Sequence, residues 1–155
     1  MKTILFLGYD KNKARLIELI KAHNKSWEIQ QTDHEITLDK VKNLDVIISF
    51  GYRHIISNEI IKHFKKPIIN LHLSYLPFNR GAHPNFWSFI DNTPSGVSIH
   101  EVDEGIDTGK IIYQKKIDFY LDKNKEKLDF NNTYTFLFKE MENLFVKNID
   151  DIINS

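Results

Sequence analysis

The chain has 155 residues, of which 41% are hydrophobic and 27% are charged, as in an ordinary globular protein of about one domain. Its 21 Lys and Arg balance its 21 Asp and Glu, so no net charge attracts nucleic acid or an anionic membrane. The absence of Cys excludes disulfides, thiolate metal sites and cysteine nucleophiles, and no run approaches the about 20 apolar residues of a membrane span. We therefore expect a cytoplasmic protein that acts without nucleic acid or membrane.

The first half of the sequence predicts strands that alternate with helices. The apolar run 3–7, which ends at Gly8, predicts a strand buried on both faces, and the apolar stripe in 14–21 predicts the following helix. Next come a weak strand at 28–32, a short helix at 37–42, a β-branched strand at 45–50, a helix capped by Ser57 and a strand at 68–71. This order predicts an α/β fold with a Rossmann-like, mostly parallel sheet flanked by helices, whose ligands collect beyond the carboxyl ends of the strands.

The second half predicts additions to that sheet. Its segments are a loop at 73–84, a short aromatic helix at 85–91, a turn at 92–96, strands of mixed direction within 97–102 and 110–119, a solvated turn of mixed charge at 122–127, and a C-terminal helix between 132 and 152. The apolar face of this last helix either packs within the chain or forms a homodimer surface. We expect residues 1–155 to form a single domain.

Three common kinds of site lack their motifs. The loop Gly8-Tyr9-Asp10 matches neither the G-x-G-x-x-G fingerprint nor a P-loop, so it offers no phosphate cradle. The seven His show no HExxH or comparable spacing, and we expect no metal. Ser74 lacks the G-x-S-x-G context of a hydrolase nucleophile.

Asn70, His72 and Asp107 are the remaining candidates for chemistry. Asn70 and His72 end an apolar strand and project from one face, because side-chain direction repeats every second residue. Asp107 follows in a Gly-flanked turn, where it could orient the imidazole. A purely structural interpretation is also open, in which Asn70 caps a strand end, His72 lines a cleft and Asp107 belongs to a turn.

The stretch 68–109 resembles the folate-dependent formyltransferase family, most closely its sugar N-formyltransferases. The family's core pattern is N-x-H-x-S-x-L-P-x-x-x-G, followed by D-x-G. In this chain the pattern is carried by Asn70, His72, Ser74, Leu76, Pro77, Gly81, Asp107 and Gly109. Leu73 departs from the Pro that often follows the catalytic His, which loosens the turn without removing a functional group.

The resemblance implies transfer of a formyl group from 10-formyltetrahydrofolate to a primary amine, without a metal. Asn70 and His72 would donate to the tetrahedral oxyanion, each aimed donor lowering the barrier by about 3 kcal/mol. Asp107 would favour the imidazolium and help the amine's proton reach the leaving nitrogen. The resemblance places the folate at two loops, with Tyr52, Arg53, His54, Ile55, Ile56, Val102, Glu104, Gly105 and Ile106.

The acceptor implied by the resemblance is a nucleotide-linked amino sugar, such as dTDP-4-amino-4,6-dideoxyglucose, used for surface polysaccharide such as lipopolysaccharide O-antigen. The segment 77–87 is similar to the version in sugar N-formyltransferases. The candidate acceptor contacts are Tyr9, Tyr75, Asn79, Arg80, His83, Asn85 and Trp87. Part of the usual acceptor pocket is expected to be absent or supplied by a second subunit, because the chain is shorter than is usual in the family.

Other functions stay open at this point. The family's tRNA enzymes carry a further C-terminal domain, for which we expect no room after Asp107, and its glycinamide ribonucleotide enzymes carry a Gly-rich loop that Gly8-Tyr9-Asp10 lacks. Formylation of another small amine nevertheless remains an alternative. So do a non-catalytic module that binds folate or a nucleotide and a hydrolase that releases formate from the same folate.

Overall fold

A single sheet organises the chain in a computed structural model that describes residues 1–119 and 129–154. The predicted turn at 122–127 lies outside the described residues. The elements, in chain order, are β1 (Thr3–Gly8), α1 (Leu16–His23), β2 (Glu28–Thr32), a 3₁₀ helix (Leu38–Val41), β3 (Val46–Phe50), α2 (Asn58–His63), β4 (Ile68–His72), α3 (Pro84–Ile90), β5 (Ser95–Glu101), β6 (Ile111–Ile117), α4 (Phe130–Lys147) and α5 (Ile149–Asn154). Each strand predicted from the sequence is present within a few residues of its expected bounds.

The strand order in the described part of the chain is β2-β1-β3-β4-β5-β6. The neighbours β2, β1, β3 and β4 pair in parallel, whereas β5 and β6 are antiparallel additions. The strongly apolar strands β1 and β3 lie in the middle of the sheet, and the polar strand β2 forms an edge, where one side needs no partner. The predicted Rossmann-like α/β fold with added mixed strands is confirmed.

Helices cover both faces of the sheet. Ile4 and Phe6 of β1 face a core built with α1, α4 and α5, while Leu5 and Leu7 face a second core built with the 3₁₀ helix and α2. This alternation follows from the two-residue period of a strand. No helix in the described ranges is sufficiently long and apolar to cross a membrane.

The C-terminal helical region differs from its prediction as one helix. It divides at Asn148, whose backbone (φ −114°, ψ 15°) leaves the helical region and whose side chain donates to the Leu144 carbonyl at 2.9 Å. The apolar periodicity continues across the break, from Phe145 to Ile149, which hides the break in the sequence. This face packs inside the chain, and a homodimer stays a prediction.

The Ser57 cap is confirmed at the start of α2. Its side-chain oxygen accepts a hydrogen bond from the Ile60 amide at 3.3 Å, which satisfies a donor in the first turn. This contact fixes where the chain turns after β3, and therefore where the loop at 51–57 leaves the sheet. That loop is one of the two predicted to hold the folate.

Gly8 ends β1 at φ +109°, and a Cβ atom there would lie 2.0 Å from the carbonyl oxygen of Phe50. We expect Gly8→Ala to lower the free energy of unfolding by about 2 to 3 kcal/mol, because clash and backbone strain add. Gly81→Ala is the matched control, since Gly81 also has a positive φ (+89°) but a Cβ atom there would meet nothing within 4 Å. Gly81→Ala should lower the free energy of unfolding by about 1 kcal/mol. Urea denaturation measures the stability of both variants, and equal losses of stability would contradict the predicted clash at Gly8.

Candidate active site

The site lies at the carboxyl end of β4. Asn70 and His72 point to one face of the sheet, and the antiparallel strand β5 brings His100 opposite Asn70. The chain then folds back beyond β5, where the Val102 amide donates to the Ile68 carbonyl at 2.8 Å. This return carries Asp107 to the end of β4, so four side chains from three separate parts of the sequence meet there.

The Asp107 carboxylate is the centre of the cluster. Its Oδ1 accepts from Asn70 Nδ2 at 3.2 Å and lies 3.2 Å from His100 Nε2. Its Oδ2 accepts from the Gly81 amide at 2.8 Å and lies 3.5 Å from His72 Nδ1. Burial raises the pKa of Asp107, but the hydrogen bond to His100, the charge of His72 and the Gly81 amide together hold it below the ordinary value. The carboxylate is therefore ionised near neutral pH.

His72 is only 7% exposed. Its Nε2 donates to the carbonyl oxygen of Asn79 at 2.8 Å. Burial lowers the pKa of His72, and this effect outweighs the opposing influence of Asp107 and of the Asn79 carbonyl. The imidazole is consequently neutral at pH 7, which suits a group that accepts a proton.

His100 is a member of the cluster that the sequence did not reveal as a site residue. It is 2% exposed, and its Nδ1 donates to the Glu101 carbonyl at 2.8 Å. Its Nε2 lies 3.0 Å from Asn70 Nδ2, so an unprotonated Nε2 accepts from Asn70, whereas a protonated one donates to Asp107. The antiparallel register of β5 against β4 would have identified it, but that register is not visible in the sequence.

The Asn70 amide has an orientation that differs from the predicted one. Its nitrogen is directed at His100 and Asp107, so its amide hydrogens serve protein acceptors. The family resemblance implied that this nitrogen would donate to an oxyanion. In the structure such a contact requires rotation of the Asn70 side chain, since its hydrogens are already directed inward.

The first loop predicted for folate has a buried base and an exposed tip. Tyr52 donates its hydroxyl to the His34 carbonyl at 2.8 Å and accepts from the Ile36 amide, and Ile56 is buried. Ile55 at the tip is 82% exposed, and Arg53 and His54 beside it are also exposed. The exposed members of this loop are the ones free to meet a ligand.

The second predicted folate loop, 102–107, is held by its own contacts. Asp103 accepts from the Gly105 amide at 2.9 Å and from the Thr108 hydroxyl at 2.5 Å. Val102 packs against the core on the face of α2, Glu104 and Gly105 are exposed, and Ile106 is 62% exposed. Both loops therefore place one exposed isoleucine on a fixed base.

The predicted acceptor residues divide into exposed and structural groups. Tyr9 directly follows β1, with its ring packed edge-on to Phe50, and Tyr75 is half-buried; Arg80, His83 and Trp87 are exposed. Asn85, by contrast, is 2% exposed, and its amide donates to Thr133 at 3.2 Å, so it ties α3 to α4. The Asn79 side chain donates to Thr93 at 2.8 Å, while its carbonyl contacts His72.

The donor set of the cluster does not form a metal site in the described ranges, 1–119 and 129–154. Those residues hold no group of three or more His, Asp or Glu arranged around a common ion position. His72 and His100 instead face the carboxylate of Asp107 through single contacts, with their ring centroids 6.4 Å apart. This arrangement suits proton transfer between imidazole and carboxylate.

Comparison with known proteins identifies relatives. A family model described as "Formyl transferase" matches residues 6–135. Methionyl-tRNA formyltransferase of Finegoldia magna is 42% identical over 81 residues, which is 52% of this chain and 26% of that protein. GDP-perosamine N-formyltransferase of Brucella melitensis is 42% identical over 74 residues, which is 47% of this chain and 29% of that protein. The matches thus span less than a third of these two curated relatives.

A solved structure is similar over nearly the whole chain. The formyltransferase PseJ from Anoxybacillus kamchatkensis is 38% identical, with a TM-score of 0.85, over 97% of this chain and 76% of that one. That crystal structure contains UDP-4,6-dideoxy-4-formamido-L-AltNAc and tetrahydrofolate.

Proposed function

Because this chain belongs to the formyl transferase family, we propose that it moves a formyl group from 10-formyltetrahydrofolate to the amine of a nucleotide-linked amino sugar. The observation that carries the proposal is the ionised Asp107 carboxylate, in contact with His72, Asn70 and His100 at the carboxyl end of β4. In this proposal residues 1–155 act as one catalytic domain. The complex of PseJ with tetrahydrofolate and a formamido sugar nucleotide supports both substrate classes.

The cluster has the groups that amide formation needs. The acceptor nitrogen attacks the formyl carbon, a carbon–nitrogen bond forms, and the carbonyl oxygen becomes an oxyanion. Neutral His72 accepts the proton that the amine loses, and Asp107 stabilises the imidazolium. The proton then passes to the folate nitrogen as its bond to carbon breaks, which leaves tetrahydrofolate and a formamide. Every atom and proton is thereby accounted for without another reagent.

The two exposed isoleucines are the apolar side chains that these loops offer to a folate. Ile55 and Ile106 stand at the tips of the two loops, where each presents apolar surface for a bound ring to cover. We expect Ile55→Ser and Ile106→Ser each to raise KM for the folate by about five-fold, with the melting temperature unchanged, because each removes apolar contact with a bound ring. Steady-state kinetics at saturating acceptor measures this.

A control separates ligand contact from a general loss of apolar surface. Ile111 is a partly exposed isoleucine on β6, outside the two loops. Ile111→Ser should leave KM for the folate unchanged. Unchanged folate KM in both loop variants would remove these loops from the donor site.

The acceptor is proposed as a 4-amino-4,6-dideoxy sugar on a nucleoside diphosphate. The 4-formamido group of the sugar bound to PseJ and the similarity to a GDP-perosamine enzyme support this choice. Dideoxy amino sugars on dTDP, UDP and GDP, incubated with 10-formyltetrahydrofolate, should give a formamide with one of the three carriers. Mass spectrometry identifies the product.

Two further incubations with 10-formyltetrahydrofolate, one with glycinamide ribonucleotide and one without any amine, separate the alternatives. Formylation of glycinamide ribonucleotide, with none on any sugar, would favour a different small-amine acceptor. Formate released without an amine would indicate a hydrolase. Folate binding with no turnover would indicate a non-catalytic module. Each of these three outcomes would replace the sugar assignment.

A further inference from the structure

The loop between β4 and α3 covers the catalytic cluster with backbone groups. The carbonyl oxygen of Asn79 lies 2.8 Å from His72 Nε2, and the amide of Gly81 lies 2.8 Å from Asp107 Oδ2. Asn79 has a left-handed backbone, with φ +58°. The carbonyl that contacts the imidazole therefore belongs to a residue in the left-handed region, and Asn is one of the few residues with a side chain that adopt this conformation readily.

A single side-chain contact anchors Asn79 to the turn after α3. Its Nδ2 donates to the hydroxyl of Thr93 at 2.8 Å. Thr93 is in turn fixed by its backbone, whose amide donates to the Ser88 carbonyl near the end of α3. The position of the Asn79 carbonyl therefore depends on Thr93, although the Thr93 hydroxyl bonds to Asn79 and not to His72 or Asp107.

This anchoring decides which nitrogen of His72 carries hydrogen. A carbonyl oxygen can only accept, so the Nε2 that contacts Asn79 must be protonated. Nδ1 makes no hydrogen bond to any residue of the described ranges, and Asp107 Oδ2 is 3.5 Å away. In the neutral ring the lone pair thus lies on Nδ1, next to the carboxylate that would stabilise a proton there.

We propose that Asn79 and Thr93 are positioning residues, which hold His72 in the Nε2–H tautomer and make Nδ1 the nitrogen that exchanges protons with the substrates. The catalytic part of this inference rests on the proposed formyl transfer. The tautomer itself is a property of the free protein and is tested without any substrate. Among the described residues, the charged or titratable groups that face His72 are Asp107 from the turn and His100 from β5.

Nitrogen-15 NMR of the histidine side chains tests the tautomer directly. The signals of His72 are identified by their loss in His72→Asn. In the wild type, at a pH above the pKa of His72, Nε2 should show the chemical shift of a protonated nitrogen and Nδ1 that of an unprotonated one. Thr93→Val removes the hydroxyl at almost constant size and should give averaged shifts from both tautomers. Thr93→Ser keeps the hydroxyl and should restore the wild-type shifts.

Kinetics tests the consequence for the reaction. We expect Thr93→Val to lower kcat about five-fold, the value of one lost hydrogen bond, with KM for the folate unchanged. The hydrogen bond to the Asn79 carbonyl raises the pKa of His72. Weakening this hydrogen bond should therefore lower that pKa and move the acid limb of the kcat/KM profile to lower pH. Thr93→Ser should restore both kcat and the pH profile, which a purely structural role would not require.

Asn79→Gly is the second variant, because Gly accepts φ +58° but lacks the amide that binds Thr93. It should reproduce the mixed tautomer even if Thr93→Val is too unstable to study. A wild-type His72 in the Nδ1–H form, or unchanged nitrogen shifts in a folded Asn79→Gly protein, would overturn the proposal. If the tautomer behaves as expected and no amine is formylated, the proposed function fails and the positioning role stands.

Discussion

Asp107→Asn is expected to lower kcat by about 1,000-fold while the chain stays folded. The amide has no negative charge to stabilise an imidazolium on His72, and its single NH₂ group would face either the Gly81 amide or the Asn70 amide, both of which are donors. The backbone should persist, because Asn tolerates the positive φ of +52° found at this position. Single-turnover kinetics with both substrates, together with circular dichroism, measures the two effects.

Asp103→Asn is the control for that substitution. Asp103 lies in the same turn, but its contacts are with Gly105 and Thr108, and an amide oxygen can accept from both. Its kcat should stay within about three-fold of the wild type, as for a substitution that keeps its hydrogen bonds. Equal losses in both variants would indicate disorder of the turn, and a near-normal Asp107→Asn enzyme would exclude Asp107 from the chemistry.

The contacts of Asp107 should also make the stability of the protein fall as the pH becomes acidic. The folded pKa of Asp107 is held below its ordinary value of 3.8, so the carboxylate contributes stability above pH 3.8 and that contribution is lost as the pH falls through the folded pKa. Asp107→Asn should therefore flatten the fall of the urea midpoint in this acidic range.

His72→Asn is expected to lower kcat by a similar factor, about 1,000-fold, because it removes the base that we propose accepts the amine's proton. Burial lowers the pKa of His72 from 6.5, so the wild-type kcat/KM should fall on an acid limb below pH 6.5, where the imidazole becomes protonated. His72→Asn should have neither the wild-type rate nor the acid limb of the wild-type profile. A pH series of initial rates measures both.

His63→Asn is the matched control, since His63 is exposed at the end of α2 and has no predicted role. It should retain both the rate and the acid limb. An acid limb that persists in His72→Asn would assign the titration to a group other than His72.

Local sequence signals were sufficient for much of the fold. Apolar runs identified β1, β3 and β4, because buried parallel strands need apolar residues on both faces. The Ser57 cap was also readable, since it acts within one helical turn. The break at Asn148 was missed because the apolar spacing continues across it.

Only part of the site could be predicted from the sequence, because several of its contacts join residues that are far apart along the chain. Asn70 and His72 share a strand, so their common face follows from the two-residue period. His100 joins them through the antiparallel register of β5, and Asn79 contacts His72 through its backbone carbonyl, which no side-chain pattern encodes. The burial of Asn85 depends on Thr133, far along the chain. Contacts of this kind need the tertiary structure.

Transfer of a carbon-13 formyl label would show whether this chain formylates a nucleotide-linked amino sugar. Wild-type protein would be mixed with labelled 10-formyltetrahydrofolate and a UDP-, GDP- or dTDP-linked 4-amino-4,6-dideoxy sugar, and carbon NMR would follow the label. We predict that the label appears as a sugar formamide with the wild type and stays on the folate with Asp107→Asn. Label that appears only as free formate would rule out the proposed formyl transfer to a sugar, and equally fast transfer by both proteins would rule out the proposed role of Asp107.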